Sequence, residues 1–171
     1  RRCSAMPRKC LVINLDRCTG CDSCIVSCKF ENHLPLGTFY NRVMQVGPTG
    51  SYPNVERYNL PVQCQQCTYA RCVEVCPTGA SYRDSESGIV LVDESKCIGC
   101  QYCVMACPYG AISLESIGLP SATSETMAQK SMRSVAVRCD LCKDWMKREG
   151  KSVPACVEAC PVHARSVVQI G

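Results

Sequence analysis

The sequence is poor in the large aromatic side chains that usually fill a protein core. Aromatic residues make up 6% of its 171 positions, with two Phe and one Trp, although such side chains ordinarily dominate core energetics. No window approaches the roughly 20 consecutive apolar residues that span a bilayer, and no apolar signal region precedes the first motif. We therefore expect a soluble chain that has no transmembrane segment or signal of its own.

The sequence also lacks the groups of a hydrolytic or nucleotide-dependent enzyme. It contains two histidines, His33 and His163, which are far apart and lie in no Ser or Asp motif. A phosphate-binding G-x-G-x-x-G loop is absent from the whole sequence. We therefore expect no catalytic residue and no substrate turnover by this chain alone.

Cysteine, in contrast, is far more frequent than packing alone would require, with 18 residues in 171. Disulfides, structural zinc and iron-sulfur clusters are the three ways to hold so many thiols. Sixteen of the cysteines form four repeated quartets, which are Cys18, Cys21, Cys24 and Cys28; Cys64, Cys67, Cys72 and Cys76; Cys97, Cys100, Cys103 and Cys107; and Cys139, Cys142, Cys156 and Cys160. Cys3 and Cys10 belong to no quartet, and we interpret them as small buried or terminal thiols.

The spacing inside the quartets separates these three possibilities. Quartets one and three read Cys-x2-Cys-x2-Cys-x3-Cys, the bacterial ferredoxin run in which three thiolates hold one [4Fe-4S] cluster and the fourth reaches another. Quartet two widens one gap to four residues and quartet four widens one to thirteen, and both keep the opening x2 and the closing x3. Zinc ribbons use two Cys-x2-Cys pairs, and repeated quartets are an unusual way to build disulfides. The spacing therefore favours iron-sulfur clusters.

The closing x3 gap predicts a short helix in every quartet. Residues four apart share a helix face, about 6 Å apart along the axis, so one helix can contact two clusters. Proline follows the fourth cysteine in quartets two, three and four and ends the helix there, whereas quartet one has Lys29. Two residues after that proline, quartets two and three have Gly and quartet four has His163. His163 either packs beside a cluster and donates a hydrogen bond to its sulfur, or tunes its potential through a coupled proton.

The net charge of +4 gives a mildly basic apoprotein. An oxidised [4Fe-4S] core with its four thiolates carries roughly −2, so four such sites would bring the holoprotein to about −4. We therefore interpret the excess of Lys and Arg as compensation for buried cluster charge, and we expect no nucleic-acid partner.

Short β-rich runs at 11–15 and 89–92 precede quartets one and three and are predicted strands. Residues 80–82 and 89–92 flank a polar turn at 83–88, which predicts a β-hairpin. The quartets themselves are predicted to be loops and short helices.

Two segments lie outside the repeats and are predicted to connect them. Residues 29–59 contain several Pro and Gly turn signals and are interpreted as an extended excursion with one or two strands. Residues 115–134 are rich in Ser, Thr and Met and are interpreted as a surface linker whose middle, 124–132, is helical. Either segment could form a docking surface, but connecting loops are the favoured interpretation.

The order of the four quartets, together with the sequences around them, resembles the iron-sulfur subunits of molybdopterin oxidoreductases of the dimethyl sulfoxide reductase family. The resemblance covers residues 11–168 and is carried by residues 64–80, 97–111 and 138–142, with Glu31-Asn32 and Leu60-Pro61. It implies an α+β fold of tandem, nested ferredoxin-like halves with short helices, β-hairpins and long loops. Within the single unit 1–171, half A would comprise 11–28 with 135–168, half B would comprise 60–114, and 29–59 and 115–134 would connect them.

The resemblance also implies four [4Fe-4S] clusters, each held by three cysteines of one quartet and the fourth cysteine of another. The implied ligands are Cys18, Cys21, Cys24 and Cys160 for cluster 1; Cys139, Cys142, Cys156 and Cys28 for cluster 2; Cys64, Cys67, Cys72 and Cys107 for cluster 3; and Cys97, Cys100, Cys103 and Cys76 for cluster 4. Some relatives replace a ligand in the third quartet and hold a three-iron cluster. Because Cys100 is present here, four complete clusters are expected.

By the same resemblance, the chain is a non-catalytic electron-transfer subunit of an oxidoreductase complex. Its partners would be a large molybdenum or tungsten pterin catalytic subunit and a membrane anchor or another electron carrier. It would be cytoplasmic or exported together with a signal-bearing partner. Two alternatives stay open: a structural subunit of a pterin enzyme that has no net redox reaction, and the input ferredoxin subunit of a hydrogenase or formate-oxidising complex.

Overall fold

The computed structural model describes residues 8–117 and 133–170, which form short helices and small antiparallel sheets. The fold is therefore α+β, as the sequence predicts. In chain order the elements are β1 (Arg8–Ile13), α1 (Ser23–Glu31), β2 (Asn41–Ser51), β3 (Asn54–Gln63), α2 (Arg71–Glu74), β4 (Ser81–Arg83), β5 (Val90–Val92), α3 (Tyr102–Ala106), β6 (Ile112–Ile117), β7 (Arg133–Arg138), α4 (Lys143–Glu149), α5 (Ala155–Glu158) and β8 (Arg165–Ile170).

The strands form four two-stranded antiparallel sheets, and two of these join distant parts of the chain. β1 pairs with β8 along six residues, so that Arg8 lies opposite Ile170 and Ile13 opposite Arg165. β6, which follows quartet three, pairs with β7, which precedes quartet four. The sheets therefore bring quartet one close to quartet four in space and connect quartet three to quartet four.

The predicted hairpin between quartets two and three is confirmed, with strand bounds that differ by one residue. β4 pairs with β5, and the turn between them is stabilised by Asp84, whose carboxylate accepts a hydrogen bond from the Ser87 amide at 3.0 Å. The same carboxylate accepts a bond from Lys143 Nζ at 2.7 Å. Since Lys143 begins α4, this ion pair fastens the hairpin to the segment that contains quartet four.

The excursion after quartet one contains two strands that form a long hairpin, at the upper end of the one or two predicted. β2 has eleven residues and β3 has ten, and the register shifts between Val46 and Thr49, where Gly47-Pro48 lies. Its side chains support the quartet-one loop: Asn41 Nδ2 and Asn59 Nδ2 each donate at 3.0 Å, to the carbonyls of Cys24 and Cys18. The hairpin is thus part of the support of a candidate metal site.

The predicted short helices are present in all four quartets, and each contains the third cysteine. α2, α3 and α5 end before the fourth cysteine, which is followed by proline. α1 continues past Cys28 to Glu31 because Lys29 occupies the position of that proline. Lys29 Nζ donates to the carbonyls of Pro35 and Thr38 at 3.0 and 3.1 Å and lies 4.3 Å from the centre of the Phe39 ring.

The core is built from small aliphatic residues and cysteines. One cluster packs Ala80, Ile112 and residues 135–137 around Cys97 and Cys103. A second packs Trp145 and Met146, from α4, against Cys142 and Ala155. Cysteine thus fills positions that large apolar side chains occupy in most cores.

The longest helix in the described part of the chain, α1, has nine residues, and none of the helices there is long and apolar enough to cross a membrane.

The linker predicted at 115–134 includes the adjoining ends of β6 and β7. Its predicted helical middle, 124–132, lies outside the described residues.

Gly99, in the quartet-three loop, has a left-handed backbone with φ of +69°, and a Cβ there would lie 2.6 Å from the carbonyl oxygen of Ser134 in β7. Gly79 has a similar φ of +65°, with no atom within 4 Å of its Cβ position. Both alanine variants carry the left-handed penalty of about 1–2 kcal/mol, but only Gly99→Ala also forces the loop away from β7. We expect Gly99→Ala to cost about 2 kcal/mol more than Gly79→Ala, or roughly 4–8 °C in Tm.

Thermal unfolding followed by circular dichroism checks this comparison, with both variants purified in parallel. Equal losses in the two variants would show that the contact between Gly99 and β7 does not constrain the loop.

Candidate metal centres

The loop of quartet one turns tightly just before α1. Gly20 and Asp22 both have left-handed backbones, and the Asp22 carbonyl accepts hydrogen bonds from the amides of Ile25 and Val26 at 2.8 and 3.1 Å. A side chain at Gly20 would meet the Asn59 amide, whose Oδ1 lies 2.8 Å from the Cβ position. Glycine is needed there because the Asn59 side chain approaches closely and holds the loop.

Cys160 lines the same cavity as three cysteines of quartet one. This cavity is lined by Cys18, Cys21, Cys24 and Cys160. The backbone N–H of Ala164 donates to Cys160 Sγ at 3.3 Å. The four cysteines that the resemblance assigns to cluster 1 therefore surround one space. They are distant in the sequence, because quartet one ends at Cys28, 132 positions before Cys160.

A second cavity combines Cys76 of quartet two with three cysteines of quartet three. It is lined by Cys76, Cys97, Cys100 and Cys103. Backbone amides donate to two of these sulfurs at 3.4 Å, from Ser81 to Cys76 and from Ala136 to Cys97. These are the four cysteines assigned to cluster 4.

A third group consists of Cys28 and three cysteines of quartet four. Asn32 Nδ2 lies 3.6 Å from Cys28 Sγ and 3.7 Å from Cys142 Sγ, so one amide donates towards sulfurs of two quartets. Burial raises the pKa of Cys28 to about 12, with contributions from the neighbouring Cys142 and Cys156. The pKa of the buried Cys139 is raised in the same way, first by burial and also by Cys156 and Cys28.

The fourth group consists of Cys107 and three cysteines of quartet two, and it lies nearer the surface. Cys67, Cys72 and Cys107 line one open groove of about 1010 Å³, together with Cys10. Burial raises the pKa of Cys67, and the nearby Cys72 and Cys107 raise it further. Cys64 lies near the same thiols. Burial raises its pKa, and the neighbouring Cys72 and Cys67 raise it further.

These donor sets fit a cationic inorganic group that is larger than one metal ion. Burial raises the pKa of Cys142 to about 11 and that of Cys139 well above its usual value, so a buried thiolate needs a positive partner. Metal ions bound to thiolates supply that charge and displace the protons. Within residues 8–117 and 133–170, no three His, Cys, Asp or Glu side chains are placed to hold a single metal ion; the thiols surround cavities instead.

The two roles considered for His163, a hydrogen bond to a cluster sulfur and tuning of the cluster potential, stay predictions. The His163 side chain is exposed, and its ring makes no hydrogen bond to sulfur within the described residues. Its backbone φ is +48°, close to the +65° and +56° of Gly79 and Gly110 at the equivalent repeat positions. His163 therefore replaces glycine in the turn and leaves its ring on the surface.

Of the two cysteines outside the quartets, Cys10 lies in the part of the chain that the structure describes. Cys10 is partly exposed on β1, opposite Val168 of β8, rather than buried. Cys3 lies outside the described residues. The prediction that both lie outside the candidate ligand sets remains a prediction.

Several residues that contact the cysteines were given no role from the sequence. Asn32 and Arg138 lie in segments that carry the family resemblance, but their contacts with sulfur depend on residues 110 and 66 positions away. Gln66 also joins distant elements, because its amide donates to the Cys139 carbonyl at 3.0 Å and accepts from the Val90 amide at 2.7 Å. Arg165 could have been noticed by aligning the repeats, where it replaces the Ser81 and Ile112 that follow Ala in the other quartets.

Comparison with known protein families gives two matches. Residues 55–170, which are about two thirds of the chain, match the 4Fe-4S dicluster domain family. Residues 15–32, which contain quartet one, match a 4Fe-4S binding domain family. The matches cover all four quartets.

Curated relatives include three named oxidoreductase subunits. The chain is 41% identical to a sulfite dehydrogenase subunit of Allochromatium vinosum, over 94% of this chain and 68% of that protein. It is 39% identical to a putative dimethyl sulfoxide reductase iron-sulfur subunit of Halobacterium salinarum, over 91% and 63%. It is 50% identical to a selenate reductase subunit of Mesobacillus selenatarsenatis, over 59% and 34%. The chain thus spans about two thirds or less of the length of these relatives.

Proposed function

This chain belongs to the iron-sulfur subunits of molybdopterin oxidoreductases, and we propose from that premise that it passes single electrons through four [4Fe-4S] clusters between a catalytic subunit and a second redox partner. The observation that carries the proposal is that two cavities are each lined by three cysteines of one quartet and one cysteine of another. When bound, each cluster would supply one-electron redox chemistry without making or breaking bonds to a substrate.

The proposed ligand sets are those that the resemblance implies. Two of them are supported by cavities that their cysteines line, with Cys160 joining quartet one and Cys76 joining quartet three. The other two are supported by Asn32, whose side-chain amide reaches both Cys28 and Cys142, and by the groove that Cys107 shares with Cys67 and Cys72. The proposed number of four [4Fe-4S] clusters rests on these four thiol groups, because the family matches alone do not fix the number.

The packing of the helices supports the proposed division into nested halves. α1 packs against α5, from quartets one and four, and α2 packs against α3, from quartets two and three. The pairing of β1 with β8 joins the two segments of half A. β7, however, lies at the edge of half A and pairs with β6 of half B, so the two halves share a sheet and would act as one unit.

The partners follow from the family and from the named relatives. We propose a large molybdenum or tungsten pterin subunit as the site of catalysis, because relatives are named as subunits of a sulfite dehydrogenase and a selenate reductase. A membrane anchor or another electron carrier would be the second partner. Mass spectrometry of the intact purified complex identifies both, and a hydrogenase subunit in place of a pterin subunit would contradict the proposal.

The cluster count has a direct chemical test. We expect the purified holoprotein to contain about 16 iron and about 16 acid-labile sulfide per chain, four of each for every cluster. Elemental analysis and a sulfide assay on the same sample measure both. Two or more zinc per chain with little iron would contradict the proposal.

The ligand pairing is tested by replacing Cys160, which lines the cavity of quartet one. We expect Cys160→Ser to lower the iron content from about 16 to about 12–15 per chain, because one cluster loses a ligand. Cys160→Ser and Cys21→Ser should alter the same electron paramagnetic resonance signal. Cys139→Ser should alter a different signal. Cys10→Ser removes a thiol that lines the groove of quartet two but belongs to no quartet, and we expect it to leave every signal intact. An effect of Cys160→Ser on the Cys139 signal would refute the pairing.

The conduit function is tested in the purified complex. Adding the substrate of the catalytic subunit under anaerobic conditions should change the visible absorbance of the clusters at the rate of turnover, since electrons must leave or enter the catalytic site through this chain. Stopped-flow absorbance measures the rate, and buffer without substrate is the control. Clusters that stay unchanged while the partner turns over at its full rate would favour the structural alternative.

A further inference from the structure

Two arginines are buried beside the candidate ligands without a carboxylate partner in the described part of the chain. Arg138 and Arg165 are each 4% exposed. The ion pairs of residues 8–117 and 133–170 use other cations, namely Lys96, Lys143, Arg148 and Lys151. A buried cation without a counter-ion is costly, so something else near these side chains must carry negative charge.

Arg138 contacts a thiol of one candidate cluster and is linked through Ser81 to a thiol of another. Its Nη1 donates to Cys72 Sγ at 2.9 Å, and its Nη2 donates to the Ser81 hydroxyl. The Ser81 amide in turn donates to Cys76 Sγ at 3.4 Å. Arg138 is therefore linked to Cys72 of proposed cluster 3 and, through Ser81, to Cys76 of proposed cluster 4.

Arg165 has the corresponding position in half A. It lines the cavity that contains Cys18, Cys21, Cys24 and Cys160. β8, which contains Arg165, packs against α5, which contains Cys156 of the other proposed cluster of this half. Arg165 thus lies beside ligands of one cluster and near the helix that contains a ligand of the other.

The repeats show that the two arginines reach these places by different routes. After the sequence Cys-Pro-x-x-Ala, the next residue is Ser81 in quartet two, Ile112 in quartet three and Arg165 in quartet four. In half A the guanidinium belongs to this repeat position itself. In half B the position holds the small Ser81, and Arg138 reaches its hydroxyl from the end of β7. Both halves therefore place one buried cation beside this position.

We propose that Arg138 and Arg165 each supply a positive charge shared by the two clusters of one half, and that this charge makes those clusters easier to reduce. Reduction adds an electron to a group that is already negative, so a buried cation nearby stabilises the reduced state more than the oxidised one. The inference rests on the proposed ligand sets. Both residues are tuning residues rather than catalytic ones, since neither touches a substrate.

The experiment is a redox titration of the holoprotein monitored by electron paramagnetic resonance. Arg138→Gln and Arg165→Gln remove the charge and keep a polar side chain, while Arg138→Lys and Arg165→Lys keep the charge. Arg148→Gln is the matched control, because it removes the same charge from an exposed position on α4. Iron and sulfide are measured on every sample before the titration.

We expect each Gln variant to make reduction of two clusters at least about tenfold less favourable, which is about 59 mV for a one-electron couple. Arg138→Gln should shift one pair of signals and Arg165→Gln the other pair, while both Lys variants and Arg148→Gln stay close to wild type. Loss of iron in the Gln variants with full iron in the Lys variants would also support a role for the charge.

Unshifted potentials in the Gln variants with full iron would overturn the inference and leave the four-cluster proposal standing. Equal loss of iron in the Gln and Lys variants would also overturn it, since it would indicate a packing role. A wild-type protein with far fewer than 16 iron would instead refute the proposed function, so the two failures are distinguishable.

Discussion

Buried sulfur next to buried sulfur is the constraint on which the rest of this structure depends. Cys28, Cys139 and Cys142 are removed from water and lie close to other thiols, and their pKa values rise in consequence. Without positive charge, such a group could be buried only as neutral thiols. Bound iron, backbone amides and the guanidinium groups of Arg138 and Arg165 are the available compensation. The low aromatic content fits the same constraint, because cysteines and the groups they hold occupy the space that large rings fill elsewhere.

The position of Cys160 in the cavity of quartet one gives the constraint a topological consequence. Cys160 can line the cavity of quartet one only if the two ends of the chain come together, and the pairing of β1 with β8 achieves this. Gln66 then links quartet two to the Cys139 carbonyl, and the ion pair of Asp84 with Lys143 links the β4–β5 turn to α4. These contacts between distant segments stabilise the surroundings of the quartets together.

Large apolar side chains are exposed next to the cysteine quartets. Tyr69 and Met105 are 70% and 71% exposed and lie near quartets two and three, and Phe30 is 75% exposed beside quartet one. The family functions in complexes, and the relatives that carry subunit names are longer than this chain. Exposed apolar side chains close to redox sites suit an electron-transfer subunit, because electrons pass between two proteins only where the clusters lie near the contact surface.

Sequence spacing alone determined the quartets, the helices at their closing x3 gaps, and the β4–β5 hairpin, because each depends on residues a few positions apart. It also distinguished iron-sulfur sites from zinc. Tertiary structure decided the contacts between residues that are distant in the sequence. These include the full length of the β2–β3 hairpin and its support of quartet one through Asn41 and Asn59. They also include the contact of Asn32 with Cys142 and the positions of Arg138 and Arg165. The exposure of His163 belongs to the same class, because a left-handed turn accepts the residue while the surrounding packing decides where its ring goes. Local patterns fix backbone geometry, but the partner of a long polar side chain is set by whichever element the fold places beside it.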